Sequence, residues 1–361
     1  MKILAVDIGA GTQDILLYDE SKETIENNIK MVLPSPSQLF AEEVREATHL
    51  RESVFANGST IGGGALASAL KKHVKRGNRA IMTEAAAYTV RNRLDEVREL
   101  GIEIAKGEDK PSNFEGKALT LEEVELAKLQ GFLTLFGETL SDAECVAVAV
   151  QDHGIPPEGM SNRRHRILTM KRLLQDNPKP ESLAFAEDEI PPHFLRMKSA
   201  ASACRKQLKE ARILLMDTSP DAVLGCLKDP SAEKLDHILA INVGNGHTMA
   251  ALVSDEKITA VVEHHTRFLT PEKTERLIVN FADGTLSDEE VFNDRGHGLF
   301  YLEKPGGLSN IQKIVATGPK RNLLARTKLP VHVATPAGDV MMTGPVGLIE
   351  AARRKFKLTS G

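Results

Sequence analysis

With 361 residues the chain exceeds what one small core organises, so two domains are expected. Its 46 Lys+Arg nearly balance 50 Asp+Glu, and with no basic block and no Trp the composition argues against a nucleic-acid surface. No apolar run approaches the roughly 18–20 residues of a membrane helix, and the N-terminus patterns as a strand without cleavable signal organisation, so a cytoplasmic protein is expected.

Taken in order, the chain opens on Lys-Ile-Leu-Ala-Val-Asp7-Ile-Gly9-Ala-Gly11-Thr12-Gln13-Asp14, an apolar run, an acid, two glycines and a threonine before hydrophobicity resumes. The pattern predicts strand, tight turn, strand. A turn free of Cβ atoms lets backbone N–H groups approach an anion, and Asp7 at its mouth could hold a hydrated Mg²⁺; taken alone, the hairpin is equally readable as a structural turn. Residues 29–33 suggest a third strand, 38–46 a helix and 53–56 a strand running into glycines 62–64. Those glycines enter a helix carrying Leu66, Ala69, Leu70 and Val74, an arrangement that suits either an anion or close packing. A short strand follows at 80–82 and a helix through Ala87, Val90, Leu94 and Val97. Thr120-Leu-Glu-Glu123 then reads as a capping box opening a helix to about Leu140. The wholly apolar run 145–150 predicts a doubly covered strand that delivers Gln151, Asp152, His153 and Gly154 at its C-terminal end, where α/β sheets place their chemistry.

Prolines and the run Arg163-Arg164-His165-Arg166 make 155–198 look like a charged connection. The basic run reads as a solvated helix face, with phosphate or an acidic partner as the alternative. A helix from 199 to about 211 and a strand at 213–216 ending in Asp217 follow. The second half repeats the opening pattern in Asn242-Val-Gly244-Asn245-Gly246-His247-Thr248. Asp7 aligns with Asn242, Gly9 with Gly244, Gly11 with Gly246, and Thr12 with His247 or Thr248, which indicates an internal duplication. His264 and His265 could ligate a metal only with Asp294 and His297, and adjacent strand residues point to opposite faces. Lys313 to Asn322 reads as strand, glycine turn at Gly318 and helix start, and a final helix begins near Pro345. Cys145, Cys204 and Cys226 are dispersed and offer neither disulfide framework nor cluster ligation.

Together these parts resemble the actin-like ATPase superfamily of sugar kinases, heat-shock chaperones and actin. The phosphate motifs resemble 7–13 and 242–248, the connecting strand 146–152, the adenosine motif 316–320 with Gly318 and Lys320, and the closing helix 344–352. More closely, the chain resembles a family sometimes labelled pyruvate formate-lyase-activating enzyme. Radical activation in that sense would require three closely spaced cysteines, which this chain lacks.

The resemblance implies an α/β fold of two duplicated actin-like (ribonuclease H-like) lobes with an interdomain nucleotide cleft. The lobes would span 1–154 and 236–361, with 155–235 as linker, insertion and interdomain helix. It implies ATP and Mg²⁺ as cofactors, Asp7 as the metal-linked carboxylate, and Gln151 or Asp152 to align the nucleophile. Gly9, Gly11, Thr12, Gln13, Asn242, Gly244, Asn245, Gly246, His247, Thr248, Gly318 and Lys320 would bind the nucleotide. Asn242 stands where the family has an acid, so weaker metal binding and turnover are expected. The implied function is an ATPase that regulates a partner enzyme, with a small-molecule kinase and a nucleotide sensor as alternatives.

Overall fold

The computed structural model describes residues 1–358. β1 (Lys2–Ile8) and β2 (Thr12–Asp19) pair antiparallel, and β3 (Ile29–Pro34) adds to β2. The chain then leaves this sheet through the helix Pro36–Leu50. β4 (Ser53–Gly58), β5 (Ala80–Met82), β6 (Glu103–Ile104) and β7 (Gly116–Leu121) form a separate parallel sheet in the order β6-β5-β4-β7. Its apolar core joins these strands to the helices Pro36–Leu50 and Gly64–Lys75.

The expected helix from Thr120 to about Leu140 is corrected here. Residues 116–121 are strand β7, and the helix is confined to Leu126–Thr134. The reason is period two: Leu119 and Leu121 are buried while Ala118 and Thr120, which alternate with them, are exposed, and the ladder to β4 pairs Ala56 with Leu119. Glu123 closes no capping box. It is buried against Arg196.

β8 (Cys145–Val150) returns parallel to β1, all six residues fully buried, as its unbroken apolar run requires. Residues 155–235, expected as linker and interdomain helix, supply two more strands of this first sheet. β9 (Ala184–Ala186) pairs with β10 (Arg212–Met216), which lies parallel to β8. The helix Asn162–Asp176, between β8 and β9 in the chain, is capped by Ser161, whose side chain accepts from the Arg164 N–H.

The second sheet contains β11 (His237–Val243), β12 (His247–Ser254), β13 (Lys257–His265), β14 (Gly298–Tyr301), β15 (Lys313–Thr317) and β16 (Val331–Val333). The orders are β3-β2-β1-β8-β10-β9 and β14-β13-β12-β11-β15-β16. Without the extra edge strands β9 and β14, each sheet runs third-second-first-fourth-fifth, with only the first three strands antiparallel. That is the duplicated actin-like, ribonuclease H-like α/β fold the repeated hairpin led one to expect.

Between the sheets cross the helices Thr218–Leu227 and Thr343–Phe356. A Cβ at Gly225 would lie 1.8 Å from the Thr343 carbonyl oxygen, and one at Gly347 would lie 1.9 Å from that of Asp221. Only glycine permits this crossing. Ala149 and Leu214 of the first sheet, Ala240 and Val315 of the second, and Ala352 share one apolar core, so the lobes are packed through these helices. No helix among the described residues is long and apolar enough to cross a membrane.

Candidate functional site

The two glycine hairpins close in the same way. Gly9 N–H donates to Thr12 O, and Gly244 N–H to His247 O, each at 2.9 Å. The ladders pair Ile8 with Gln13 and Val243 with Thr248, so Thr12 is equivalent to His247 and Gln13 to Thr248. The turn carbonyls are engaged from behind: Ser35 N–H donates to Gly11 O, Gln38 Nε2 to Ala10 O, and Thr266 Oγ1 to Gly244 O. What the turns have left to offer a ligand is N–H, the anion-binding group. Their tips meet, since a Cβ on Gly11 would lie 2.5 Å from Asn245 Nδ2.

Beneath the tips lies a group of carboxylates. Asp7, next to last in β1, pairs in register with Asp14 of β2. Asp7 Oδ1 and Asp221 Oδ2 are buried and have no hydrogen-bond partner among the described residues. Gly344 borders both, because a Cβ there would sit 2.3 Å from Asp7 Oδ2 and 3.1 Å from Asp221 Oδ2. Burial, then Asp14 and Asp217, hold the Asp7 carboxyl well above its usual range, with Arg196 opposing. Burial and then Asp7 raise Asp221 in the same way. Asp14 is pushed up to about 7, mainly by burial. Crowded, unpartnered carboxylates of this kind fit a hard cation with oxygen ligands. Asn242 adds no charge; its Nδ2 lies 3.5 Å from Thr218 O.

At the end of β8, Gln151 and Asp152 differ sharply. Asp152 Oδ1 accepts from Gly154 N–H at 2.8 Å, and its Oδ2 accepts from the N–H groups of Arg196 (2.9 Å) and Met197 (3.1 Å), at the start of the helix Leu195–Gln207. Burial still raises its carboxyl against those bonds. Gln151 gives only its carbonyl, to Arg196 Nη1. Arg196 is clamped by Glu123 at 2.7 Å and 2.8 Å, and Glu123 also accepts from Gly62 N–H at 2.9 Å. The glycine-rich stretch 62–64 is thereby held against the site.

The cleft enclosed in this way has a volume of about 440 Å³. Of the residues singled out from sequence, Asp7, Gly9, Thr12, Gln151, Asp152, Asn242, Gly244, Asn245, Gly246, His247 and Gly318 line it. Gln13 instead donates from Nε2 to Pro34 O at the sheet edge. Thr248 is buried against Thr266 Oγ1 at 3.0 Å, and the Lys320 side chain is exposed. Gly11 contributes through its contact with Asn245.

Other groupings differ from expectation. Arg163, Arg164 and Arg166 are not a solvated face. Arg164 pairs with Asp288 and Glu289, Arg163 donates to the carbonyls of Phe292 and Gly296, and Arg166 is buried between Asp217 and Glu263. His264 and His265 do face opposite sides. His264 Nε2 meets Asp294 Oδ2 at 3.2 Å, whereas His297 lies beside His153, His247 and His265. Asp221, Arg196 and Glu123 were not identified as site residues from sequence; the only local signal for Asp221 is its place in the first turn of a helix after the N-cap Asp217.

A family model described as "Putative pyruvate format-lyase activating enzyme (DUF1786)" matches residues 61–323. No curated protein matches the chain. Among solved structures it is similar to a ROK hexokinase from Thermus thermophilus, at 12% identity over 99% of both chains with a TM-score of 0.35. It is also similar to a ROK family glucokinase from Streptomyces griseus in complex with glucose and AMPPNP, at 10% identity over 98% of this chain and 100% of that one, TM-score 0.37. A protein of actin-like ATPase fold and unknown function from Bacteroides thetaiotaomicron matches at 9% identity over 96% and 95%, TM-score 0.35.

Proposed function

We propose that this chain, which belongs to the DUF1786 family, is an ATP-binding, Mg²⁺-dependent actin-like ATPase whose lobe closure regulates a partner enzyme. One observation carries the reading: two equivalent glycine hairpins meet over Asp7, whose buried Oδ1 has no partner among the described residues, at the mouth of a cleft of about 440 Å³. The hairpin amides would hold the β- and γ-phosphates. Asp7, with Asp221 supplying the charge that Asn242 lacks, would hold the metal. Mg²⁺, when bound, would offset charge on the transferred phosphoryl group. Gln151, its side chain uncommitted, would orient water, while Asp152 holds the helix start.

The cysteines do not support radical chemistry. Cys145, Cys204 and Cys226 are all fully buried in apolar cores, where burial pushes the thiols of Cys145 and Cys204 up to about 12. An iron–sulfur cluster needs grouped thiolates.

A second reading, transfer to a small molecule, is favoured by one feature. The cleft continues past the hairpins to Thr60, Tyr88, Asn92 and His193, polar groups suited to a second substrate. Thermal unfolding with ATP, ADP and GTP, each with and without Mg²⁺, tests nucleotide binding, because stabilisation follows RT ln(1 + [L]/Kd). A shift with ATP that grows with Mg²⁺ is expected. Absence of any shift at millimolar nucleotide would overturn both readings. Basal ATP turnover supports the regulator; turnover only with an added metabolite supports the kinase.

A further inference from the structure

Three histidines from separate parts of the chain converge where the lobes meet. His153 follows β8 of the first lobe, His247 opens β12 and His297 precedes β14 of the second. One ligand nitrogen from each lies within 4.8 Å of the other two. The rings stand edge to face, with centroids 5.7, 5.3 and 4.7 Å apart. Nε2 of His153, Nε2 of His247 and both nitrogens of His297 are out of water and have no hydrogen-bond partner among the described residues. Each such orphan costs about 1–3 kcal/mol, and simple packing would be served better by apolar side chains. A shared acceptor of lone pairs accounts for one nitrogen of each ring at once.

The surroundings have the form of a metal site. Glu263 Oε2, gripped by Arg166, lies 3.7 Å from His297 Nδ1, the place of the carboxylate that orients a ligating imidazole. Burial works against charging any of the three rings, and neutral imidazole is the form that binds metal. His153 and His247 also line the interlobe cleft.

We propose that His153, His247 and His297 form a three-histidine site for a divalent transition-metal ion of the zinc class, its open position facing the cleft and taking water or an oxygen of the molecule bound there. An all-imidazole set selects zinc, cobalt, nickel, copper or iron over Mg²⁺, so this site differs in kind from the Asp7 carboxylates. Tetrahedral Zn–N bonds of about 2.0–2.1 Å place the nitrogens about 3.3 Å apart. Filling the site therefore draws rings of the two lobes together and ties metal occupancy to lobe closure. The inference does not rest on the nucleotide reading.

The test uses the full chain stripped with chelator, in the absence of nucleotide. Titration with Co²⁺ should reach one equivalent with the visible d–d absorption of a four- or five-coordinate ion, one equivalent of Zn²⁺ should displace it, and Zn²⁺ should raise the unfolding midpoint. His153→Gln and His247→Gln, both on the cleft wall, should weaken binding by more than about 100-fold. His265→Gln, whose ring packs on His247 and His297 without belonging to the triad, should leave it intact. His297 is fully buried and is left unchanged, and the wild-type cobalt titration stands even if a variant misfolds. No cobalt band in the stripped wild type, or an undiminished band in both His153→Gln and His247→Gln, overturns the proposal. So does an equal loss in His265→Gln.

Discussion

Arg166 and Glu263 form a two-bond ion pair across the lobe boundary, Nε to Oε2 at 2.7 Å and Nη2 to Oε1 at 2.9 Å, with neither side chain reaching solvent. The same guanidinium makes two further bonds to Asp217, at 2.6 and 2.8 Å. Burial opposes ionisation of Glu263, yet Arg166 with His297 and His247 together outweigh it and hold its carboxyl well below the usual range. Arg166→Ala leaves the buried Glu263 and Asp217 carboxylates unpaired and should cost about 3–5 kcal/mol, whereas Glu263→Ala leaves Arg166 its bonds to Asp217 and should cost less. The double variant should lose less than the sum, because both remove the same pairing. Urea midpoints of the four proteins measure this; strict additivity would show that the pair does not couple the lobes.

Asp7 makes the opposite trade. Its carboxylate is crowded by Asp14 and Asp217 and has an unpartnered oxygen, so it destabilises the ligand-free fold. Asp7→Asn should raise ligand-free stability by on the order of 1 kcal/mol, as loss of a strained functional group does. The Mg²⁺-dependent part of any ATP-induced shift should vanish. Calorimetry with ATP alone and with ATP and Mg²⁺ separates the two, and retention of the full Mg²⁺ effect would rule Asp7 out as the metal's carboxylate.

Neighbours on one strand end, Gln151 and Asp152 should give contrasting variants. Asp152 Oδ1 is taken by the Gly154 N–H and Oδ2 by the Arg196 and Met197 N–H groups at the entry to the helix Leu195–Gln207, so Asp152→Ala should cost about 1–2 kcal/mol, as loss of a cap does. Gln151→Ala should leave stability within about 0.5 kcal/mol and lower ATP turnover at unchanged nucleotide affinity. Unfolding curves and phosphate release distinguish them; a silent Gln151→Ala in the turnover assay would move the orienting role elsewhere.

What the sequence disclosed here was local. An apolar strand before Asp7-Ile-Gly9-Ala-Gly11, its echo at Asn242, and the unbroken run 145–150 all act within a few residues, and each stands where periodicity places it. Residues 116–121 misled because Thr120 and Glu123 have the spacing of a capping box, while the alternation of Leu119 and Leu121 with polar neighbours marks the strand that won. The rest of the site depends on pairings no spacing reveals. Glu123 meets Arg196 73 positions later, Arg166 meets Glu263 97 positions later, and His153 meets His297 only once both lobes have folded.

Tyr301 supplies the pH dependence. Its hydroxyl donates toward the carbonyls of Phe281 and Leu286, and burial pushes the phenol up to about 12 from its usual 10. The folded state thus keeps the proton longer than the unfolded state. Its contribution is fully present below pH 10 and is lost as pH rises towards 12. With three tyrosines and no Trp, tyrosinate absorbance is unobstructed, and one late step should disappear in Tyr301→Phe. Unfolding midpoints of Tyr301→Phe should also fall less steeply above pH 10; parallel curves would refute the assignment.

The crossing of the two interlobe helices gives the last prediction. Gly225 and Gly347 stand where the opposite backbone is closer than any Cβ tolerates, 1.8 and 1.9 Å. Gly225→Ala must push the helix Thr343–Phe356 away, at a cost of about 1–3 kcal/mol or more. That helix carries Gly344, which borders Asp7 and Asp221, so the same displacement opens the base of the cleft. Each alanine variant should therefore lower the unfolding midpoint and also shrink the stabilisation gained from Mg²⁺ with ATP. An equally buried substitution remote from the cleft, Phe281→Leu, should lower the midpoint while preserving the ligand-induced shift. If Gly225→Ala and Gly347→Ala behave like Phe281→Leu, the helix crossing holds the fold together without shaping the site.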